Sequence, residues 1–367
     1  MSKRPFALVA ALAAALTLGT AHAAPSLETV VDGLKTPWAV AFLPGGEFLV
    51  TERDGTLRTA KAGGKPSAPI QGVPAVDAVG QGGLLDVVTD SDFARNRTIY
   101  FCFAEPGADK TNGTALARAK LSADNKRLTD VKVIFSQVPK MDSKLHFGCR
   151  IAEAQDGKLF LSLGERYKGM DRAQTLDNHF GKIVRVGKDG SVPADNPYVN
   201  TPGALPEIWT YGHRNSQGLA FDEKGQLWQH EHGPQGGDEL NLIRPKQNYG
   251  WPVITYGENY GGGKIGDGIF AKAGMEQPIV KWVPSIAPAG LAKLRSAKYG
   301  PAWQGNFFIG SLKFGYLERV KLDADNRPAE QEKLFEGAGR MRDVREGPDG
   351  LLYLVLEASG KIVRVKP

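Results

Sequence analysis

The sequence predicts an all-β fold, a six-bladed β-propeller with four-stranded antiparallel blades and long loops on the active-site face. Three observations carry that expectation. One phrase recurs six times, helical signals are nearly absent beyond the N-terminus, and a lone strand stands at either end of the repeats. The phrase is an apolar or Gly-led run, a turn such as Asp-Gly or Gly-Gly, and a second apolar run. It is clear at Trp38–Val50, Arg150–Leu163, Gly218–Trp228 and Arg342–Leu356, and looser from Gly83 to Phe103 and from Gly290 to Gly310.

Taken in chain order, the first element is a leader. Met1–Ala23 has a basic start at Lys3 and Arg4, an apolar stretch from Phe6 to Leu18, and Ala21-His22-Ala23 before Ala24. That is the pattern of a secretory signal peptide cleaved after Ala23. The expected organisation is therefore a signal peptide over 1–23 and one propeller over 24–367, exported to a bacterial periplasm or secreted. Leu27–Val31 is the lone leading strand. Each repeat then reads as a hairpin, because Asp-Gly and Gly-Gly supply the positive φ of tight turns and the flanking Val, Ile, Leu, Phe and Tyr suit a pleated surface. One hairpin cannot bury both faces, so stacking small sheets about an axis is the stable solution. Six copies after residue 23 give roughly 57 residues per copy, longer than the usual blade. The excess lies in loops such as Gly187–Glu207 and Asn248–Ile279. Lys361–Val365 closes the chain, and pairing it with Leu27–Val31 would seal the ring and remove open edges. A β-sandwich with coincidental hairpins is the alternative; six copies with long connections count against it.

Composition narrows the function. Formal net charge is +6, falling to +4 once Lys3 and Arg4 are removed. No basic run is interleaved with aromatics, which argues against nucleic acid. No later segment reaches membrane-spanning length. Cys102 and Cys149 are the only cysteines. Export permits a disulfide between them, and two buried thiols within strands is the other reading.

The strands repeat, but the polar residues at their ends do not. They include Gln81, His146, Arg214-Asn215, the stretch His230–Glu239, Lys313, and Arg340-Met341-Arg342. Equivalent positions of propeller blades point to one end of the central channel. Arg214, Lys313, Arg340 and Arg342 would then ring one cavity, and such a cluster needs an anion to offset repulsion and desolvation. Arg forks match carboxylates, so a small polycarboxylate is the natural occupant.

His146-Phe-Gly, Gly212-His-Arg-Asn, Glu231-His-Gly-Pro through Asp238-Glu-Leu-Asn, Tyr249-Gly-Trp-Pro, Ser311-Leu-Lys and Gly339-Arg-Met-Arg-Asp-Val occur in order over nearly the whole mature chain. In these motifs the sequence resembles the soluble quinoprotein sugar dehydrogenases, and within them the bacterial aldose sugar dehydrogenases. The resemblance implies a six-bladed propeller holding pyrroloquinoline quinone (PQQ) and calcium. It implies His146 as the general base toward the anomeric hydroxyl and Arg214 as the group facing the developing oxyanion. Gln81, Arg214, Asn215, Tyr260, Ser311, Leu312, Lys313, Arg340, Met341 and Arg342 fall to the cofactor. The carbonyls of Gly233 and Pro234 match one calcium site, and Glu239 with the carbonyl of Tyr249 a second. The implied partners are a small-molecule aldose and an external electron acceptor, with the chain a monomer or homodimer.

Two departures touch the sugar side. Leu145 stands where the glucose dehydrogenase branch has Asp, and Gly164-Glu165-Arg166 where it has Gly-Asp-Gln. The remaining histidines, His179, His213, His230 and His232, read as loop hydrogen-bonding groups, and Trp251, Trp282 and Trp303 as packing residues. His230-Glu231-His232 lacks the helical spacing of a zinc motif and runs at once into Gly-Pro. A propeller lactonase would need carboxylates and Asn around a channel metal, and a carbohydrate-binding propeller would not need the base.

Overall fold

The computed structural model describes residues 24–367, so the leader expected at Met1–Ala23 lies outside the described residues. Twenty-three strands form six antiparallel sheets, five of four strands and one of three. The three-stranded sheet comprises Pro37–Leu43, Glu47–Glu52 and Thr56–Lys61. Along its outer edge, the amides of Ser67 and Ile70 donate to the carbonyls of Thr59 and Leu57, so an extended segment takes the place of a fourth strand. Helix among the described residues is confined to Phe93–Asn96 and a 3-10 turn at Met170–Gln174.

The first strands of the six sheets are Pro37–Leu43, Leu84–Thr89, Gly148–Glu153, Ser216–Phe221, Pro288–Lys293 and Met341–Glu346. Each packs on the next, and the last returns to the first, which makes a closed ring. Closure is sealed as the sequence suggests. Ser26–Val31 pairs antiparallel with Lys361–Lys366, with Leu27 opposite Val365. The first and last strands thus share one blade, with Ser26–Val31 as its outer edge.

The core lies between blades. Trp228, Leu240 and Trp282 of the fourth blade meet Leu291, Phe307 and Ile309 of the fifth. Phe308 and Leu317 of the fifth meet Met341, Val344 and Leu354 of the sixth. Alternation along each strand drives this arrangement, since both faces of every blade are covered by its neighbours. Cys102 and Cys149 are joined as a disulfide between the second and third blades, which settles the alternative left open above.

The axis itself is plugged by charge. Arg150 pairs with Asp343 at 2.7 Å and approaches Asp86 at 3.7 Å, while Arg345 bonds Asp343 at 3.0 Å and also bonds Asp86. Arg150 additionally donates to the carbonyls of Gln217 and Arg342 and lies 4.0 Å over the ring of Trp38. These seven residues come from five different innermost strands, so the network fastens the blades and forms the floor beneath the site.

Candidate functional site

Within each blade the first strand runs antiparallel to the second. The residues just before the first strand therefore sit beside those just after the second, at one end of the ring. That is why His146, Asn215 and Arg340, which precede first strands, meet Arg53, Glu165, His232, Leu312 and Glu357, which follow second strands.

One cavity opens on the axis above the charged floor. Its lining includes Trp38, Arg53, Gln81, Asn215, Gln217, His232, Leu312, Arg340 and Arg342. Arg342 is buried; it donates to Gln217 Oε1 at 3.2 Å and to Glu357 at 3.3 Å, and its Nε has no acceptor. Burial pushes its guanidinium down to about 10, with Glu357 opposing and Arg340 and Arg150 adding repulsion. Arg340 is more exposed; it bonds Glu357 at 3.0 Å and the Leu312 carbonyl at 3.0 Å. A buried donor with nothing to bond and a charge depressed by its surroundings together mark a place built for an anion.

A second cavity adjoins the first. It is lined by Glu165, Tyr167, Met170, Arg214, Pro234, Trp251, Asn259, Tyr260 and Ile265. His146 stands between the two, since Phe147 and Gly148 line the first while its partners Glu165 and Tyr167 line the second. His146 Nδ1 lies 2.7 Å from Glu165 Oε2, and both residues are buried. The same oxygen accepts the Tyr167 amide at 2.6 Å. A carboxylate at Nδ1 places the proton there and leaves Nε2 as the basic nitrogen. Burial lowers the His146 pKa below 6.5; Glu165 works against that, and Arg214 and Arg166 work with it. The imidazole is thus neutral near pH 7, as a base must be.

Arg214 is the hinge of the site. Its backbone amide is held by Glu231, whose carboxylate also meets His213 Nδ1 at 3.1 Å. Its Nη1 donates to the carbonyls of His232 at 3.1 Å and Gly233 at 2.8 Å, its guanidinium sits 5.2 Å over Trp251, and its buried Nε has no acceptor. Gly233 is therefore an oxygen already serving a cation. It shares a small cavity with Glu231, Glu239 and Tyr249, and burial together with the Glu231 charge raises the pKa of Glu239. Two carboxylates and converging carbonyls are a donor set that suits calcium. Among the described residues, no three His, Cys, Asp or Glu side chains gather as a metal cluster, so carbonyl oxygens must supply part of any site.

The structure brings most of the sequence-derived residues to these cavities and leaves Lys313, Met341 and Ser311 out of their linings. Lys313 is exposed, with its ammonium 5.1 Å from the Phe314 ring, and does not line the axial cavity; Arg53 does. Met341 is fully buried among Phe308 and Val344, so only its backbone can face a ligand. Ser311 donates to the Ile286 carbonyl and takes the Phe314 amide, which makes it a loop brace. Tyr260 rims the second cavity at 65% exposure. Gln81 holds the site indirectly, accepting the His146 amide at 2.8 Å, and Asn215 Oδ1 accepts the Gly148 amide at 3.2 Å. Trp251 is more than packing, because its buried indole N–H is unpartnered beside Arg214. Sequence reasoning missed Arg53, Gln217, Trp38 and Glu357 as site residues, and placed Glu165 on the sugar side without its pairing to His146. Glu165 had a signal, a carboxylate right after the second strand of the blade that His146 opens; Trp38 and Gln217 read as ordinary strand residues. The other histidines do serve structure: His230 bonds the Gly290 carbonyl, and His232 the Pro288 carbonyl.

A neutral imidazole–carboxylate pair beside acceptor-starved guanidinium groups suits proton removal next to a bound anion, and the family match places the chain among oxidoreductases of the propeller type. The chain belongs to the glucose/sorbosone dehydrogenase family, whose model matches residues 34–364. It is 43% identical to aldose sugar dehydrogenase YliI of Escherichia coli K12 over 374 aligned residues that span all of both chains. The crystal structure of the soluble aldose sugar dehydrogenase from Escherichia coli, an apo-form, superimposes with a TM-score of 0.88 at 42% identity, covering 94% of this chain and 100% of that one. The PQQ-bound form of aldose sugar dehydrogenase from Streptomyces coelicolor gives a TM-score of 0.76 at 30% identity, with 94% and 99% covered.

Proposed function

We propose that this protein oxidises aldose sugars at the anomeric carbon to the lactone, using PQQ and calcium and passing electrons to an external acceptor. The observation that carries the reading is the pair of buried, acceptor-less guanidinium Nε–H groups of Arg214 and Arg342, set on either side of the His146–Glu165 pair. PQQ, when bound, supplies a two-electron acceptor for the sugar's hydride. Its carboxylates suit Arg340 and Arg342, with Gln217, Asn215, Trp38 and the Leu312 backbone around them.

The chain's own residues do the rest. His146 Nε2 takes the proton of the anomeric hydroxyl, and Glu165 stabilises the imidazolium that forms. Arg214 offers donors where negative charge grows, in a site largely shielded from water. Calcium fits the carbonyls of Gly233 and Pro234, and a second ion fits Glu239 and the Tyr249 carbonyl, relieving the raised Glu239. The Gly233 carbonyl that would serve the first ion accepts Arg214 Nη1 at 2.8 Å, so the same oxygen already answers to positive charge. The expected setting is the periplasm; among the described residues no helix is long and apolar enough to cross a membrane.

The test is to mix apoprotein with PQQ and calcium and follow dye reduction by glucose and other aldoses. Absence of both cofactor binding and turnover overturns the reading. His146→Ala is expected to bind PQQ normally and to turn over about 10²- to 10⁴-fold more slowly; near-normal turnover removes His146 from the role of base.

A further inference from the structure

We propose that the Cys102–Cys149 disulfide is a positioning element for His146, holding the candidate base in a backbone conformation it would not keep alone. The inference rests on the reading of His146 given above. Cys102 lies in Thr98–Pro106, the second strand of the second blade, and Cys149 in Gly148–Glu153, the first strand of the third. The bond joins residues 47 apart in sequence, with Cα atoms 5.7 Å apart, and both cysteines are fully buried. It is anchored three residues after the base.

The intervening backbone is unusual. His146 has φ +51°, Gly148 +68° and Cys149 +77°. Positive φ is uncommon outside glycine, and it persists where the surroundings over-determine it. The facing loop does the same, with Arg166 at +65° and Tyr167 at +63° directly after Glu165, the hydrogen-bonded partner of the base. Glycine here also answers to space, because a Cβ on Gly148 would lie 2.7 Å from the Gly164 nitrogen.

Hydrogen bonds hold part of the segment. Gln81 takes the His146 amide, Thr114 donates to the Phe147 carbonyl at 2.7 Å, and Asn215 takes the Gly148 amide. Cys149 has no such side-chain brace other than the disulfide. The cross-link therefore fixes the C-terminal end of the strained segment, and through it the 2.7 Å contact of His146 with Glu165. The guanidinium groups offered to the anion, Arg340 and Arg342, come from the sixth blade and are held there by Glu357, away from the bond.

Two double variants separate positioning from general stabilisation. Cys102→Ala with Cys149→Ala removes the bond and leaves a strained residue at 149. Cys102→Ala with Cys149→Gly removes the bond and the strain together. Both are compared with the parent as full mature chains, with folding checked by circular dichroism. Three readouts apply: PQQ affinity of the apoprotein, the pH dependence of kcat, and imidazole ¹⁵N shifts in the apoprotein. The last needs no activity. The groups facing the imidazole are Glu165, Arg214 and Arg166.

The expected result for the alanine pair is PQQ affinity within about threefold of the parent, kcat lower by roughly 10- to 100-fold as the base is misplaced, and loss of the Nδ1–Glu165 signature in the spectrum. The glycine pair is expected to recover most of kcat and of that signature. Equal behaviour of the two variants, or an unchanged imidazole spectrum in the alanine pair, overturns the proposal and leaves the bond a simple cross-link. If the alanine pair does not fold, the parent itself is compared before and after reduction of the bond: loss of the Nδ1–Glu165 signature with the fold retained supports positioning, and an unchanged spectrum refutes it. A parent that binds PQQ but oxidises no aldose sinks the functional reading, while the imidazole spectra still test the disulfide.

Discussion

Replacing Arg342 by methionine should weaken cofactor binding without weakening the apoprotein. The guanidinium is buried, its Nε lacks an acceptor, and its pKa is pushed down to about 10, well below the ordinary arginine value, chiefly by burial. In the unfolded chain the same group holds its proton with ordinary firmness. Keeping it charged in the fold at pH 7 therefore costs about 3 kcal/mol, at about 1.4 kcal/mol per pKa unit. Methionine keeps most of the apolar stem and removes the charge. It also removes the bonds to Gln217 and Glu357, but Glu357 keeps Arg340 at 3.0 Å. The expected apoprotein is as stable as the parent or up to about 2 kcal/mol more stable in urea. Its PQQ affinity should fall by roughly 30-fold or more, the range for removing one member of a buried charged contact. The assays are urea unfolding with and without PQQ, and titration of the apoprotein by tryptophan fluorescence. A variant that loses more than about 1 kcal/mol as apoprotein, yet binds PQQ like the parent, would show that Arg342 belongs to the scaffold.

Three further outcomes follow from the same geometry. Glu165→Gln keeps an oxygen for His146 Nδ1 but removes the charge that opposes burial, so the acid limb of kcat/KM should move to lower pH and kcat should drop about 10- to 100-fold; a limb that moves upward contradicts the pairing. Arg150→Met leaves the two buried carboxylates Asp86 and Asp343 with Arg345 as their one remaining cation in the floor and should cost about 3–5 kcal/mol in urea unfolding, and a loss under about 1 kcal/mol would mean the quartet is not stabilising. His230 is fully buried and burial holds it at about 3, well below its unfolded value near 6.5, so its contribution is complete above pH 6.5 and fades as pH falls toward 3. Stability measured from pH 7 to 4 should decline less steeply in His230→Gln than in the parent, and parallel profiles would refute the assignment.

Much of the architecture was legible because it rests on local chemistry repeated six times. Glycine turns between β-branched and aromatic runs dictate hairpins at Trp38–Val50 and at the other five copies, and a hairpin with two apolar faces has to be stacked. The terminal strand pairing followed from the same need to leave no edge. His146, Arg214, Asn215 and Arg340 were found because they interrupt the repeat at strand ends. Glu165 and Glu357 were harder, since a charged residue after a strand is common and only its neighbour reveals its use.

Sequence alone determined the number of blades, the end of the ring where polar groups collect, and the cationic character of that end. Tertiary structure decided which cations face the cavity and which do not. Lys313 turned outward and Arg53 turned in, because a side chain's direction depends on the loop that carries it and on what already fills the axis. It also decided that Cys102 meets Cys149, that Arg150 closes the floor under Arg342, and that Glu165 lies beside His146. Each of these joins residues from different blades or different loops, and separation in sequence carries no information about distance once a chain closes into a ring.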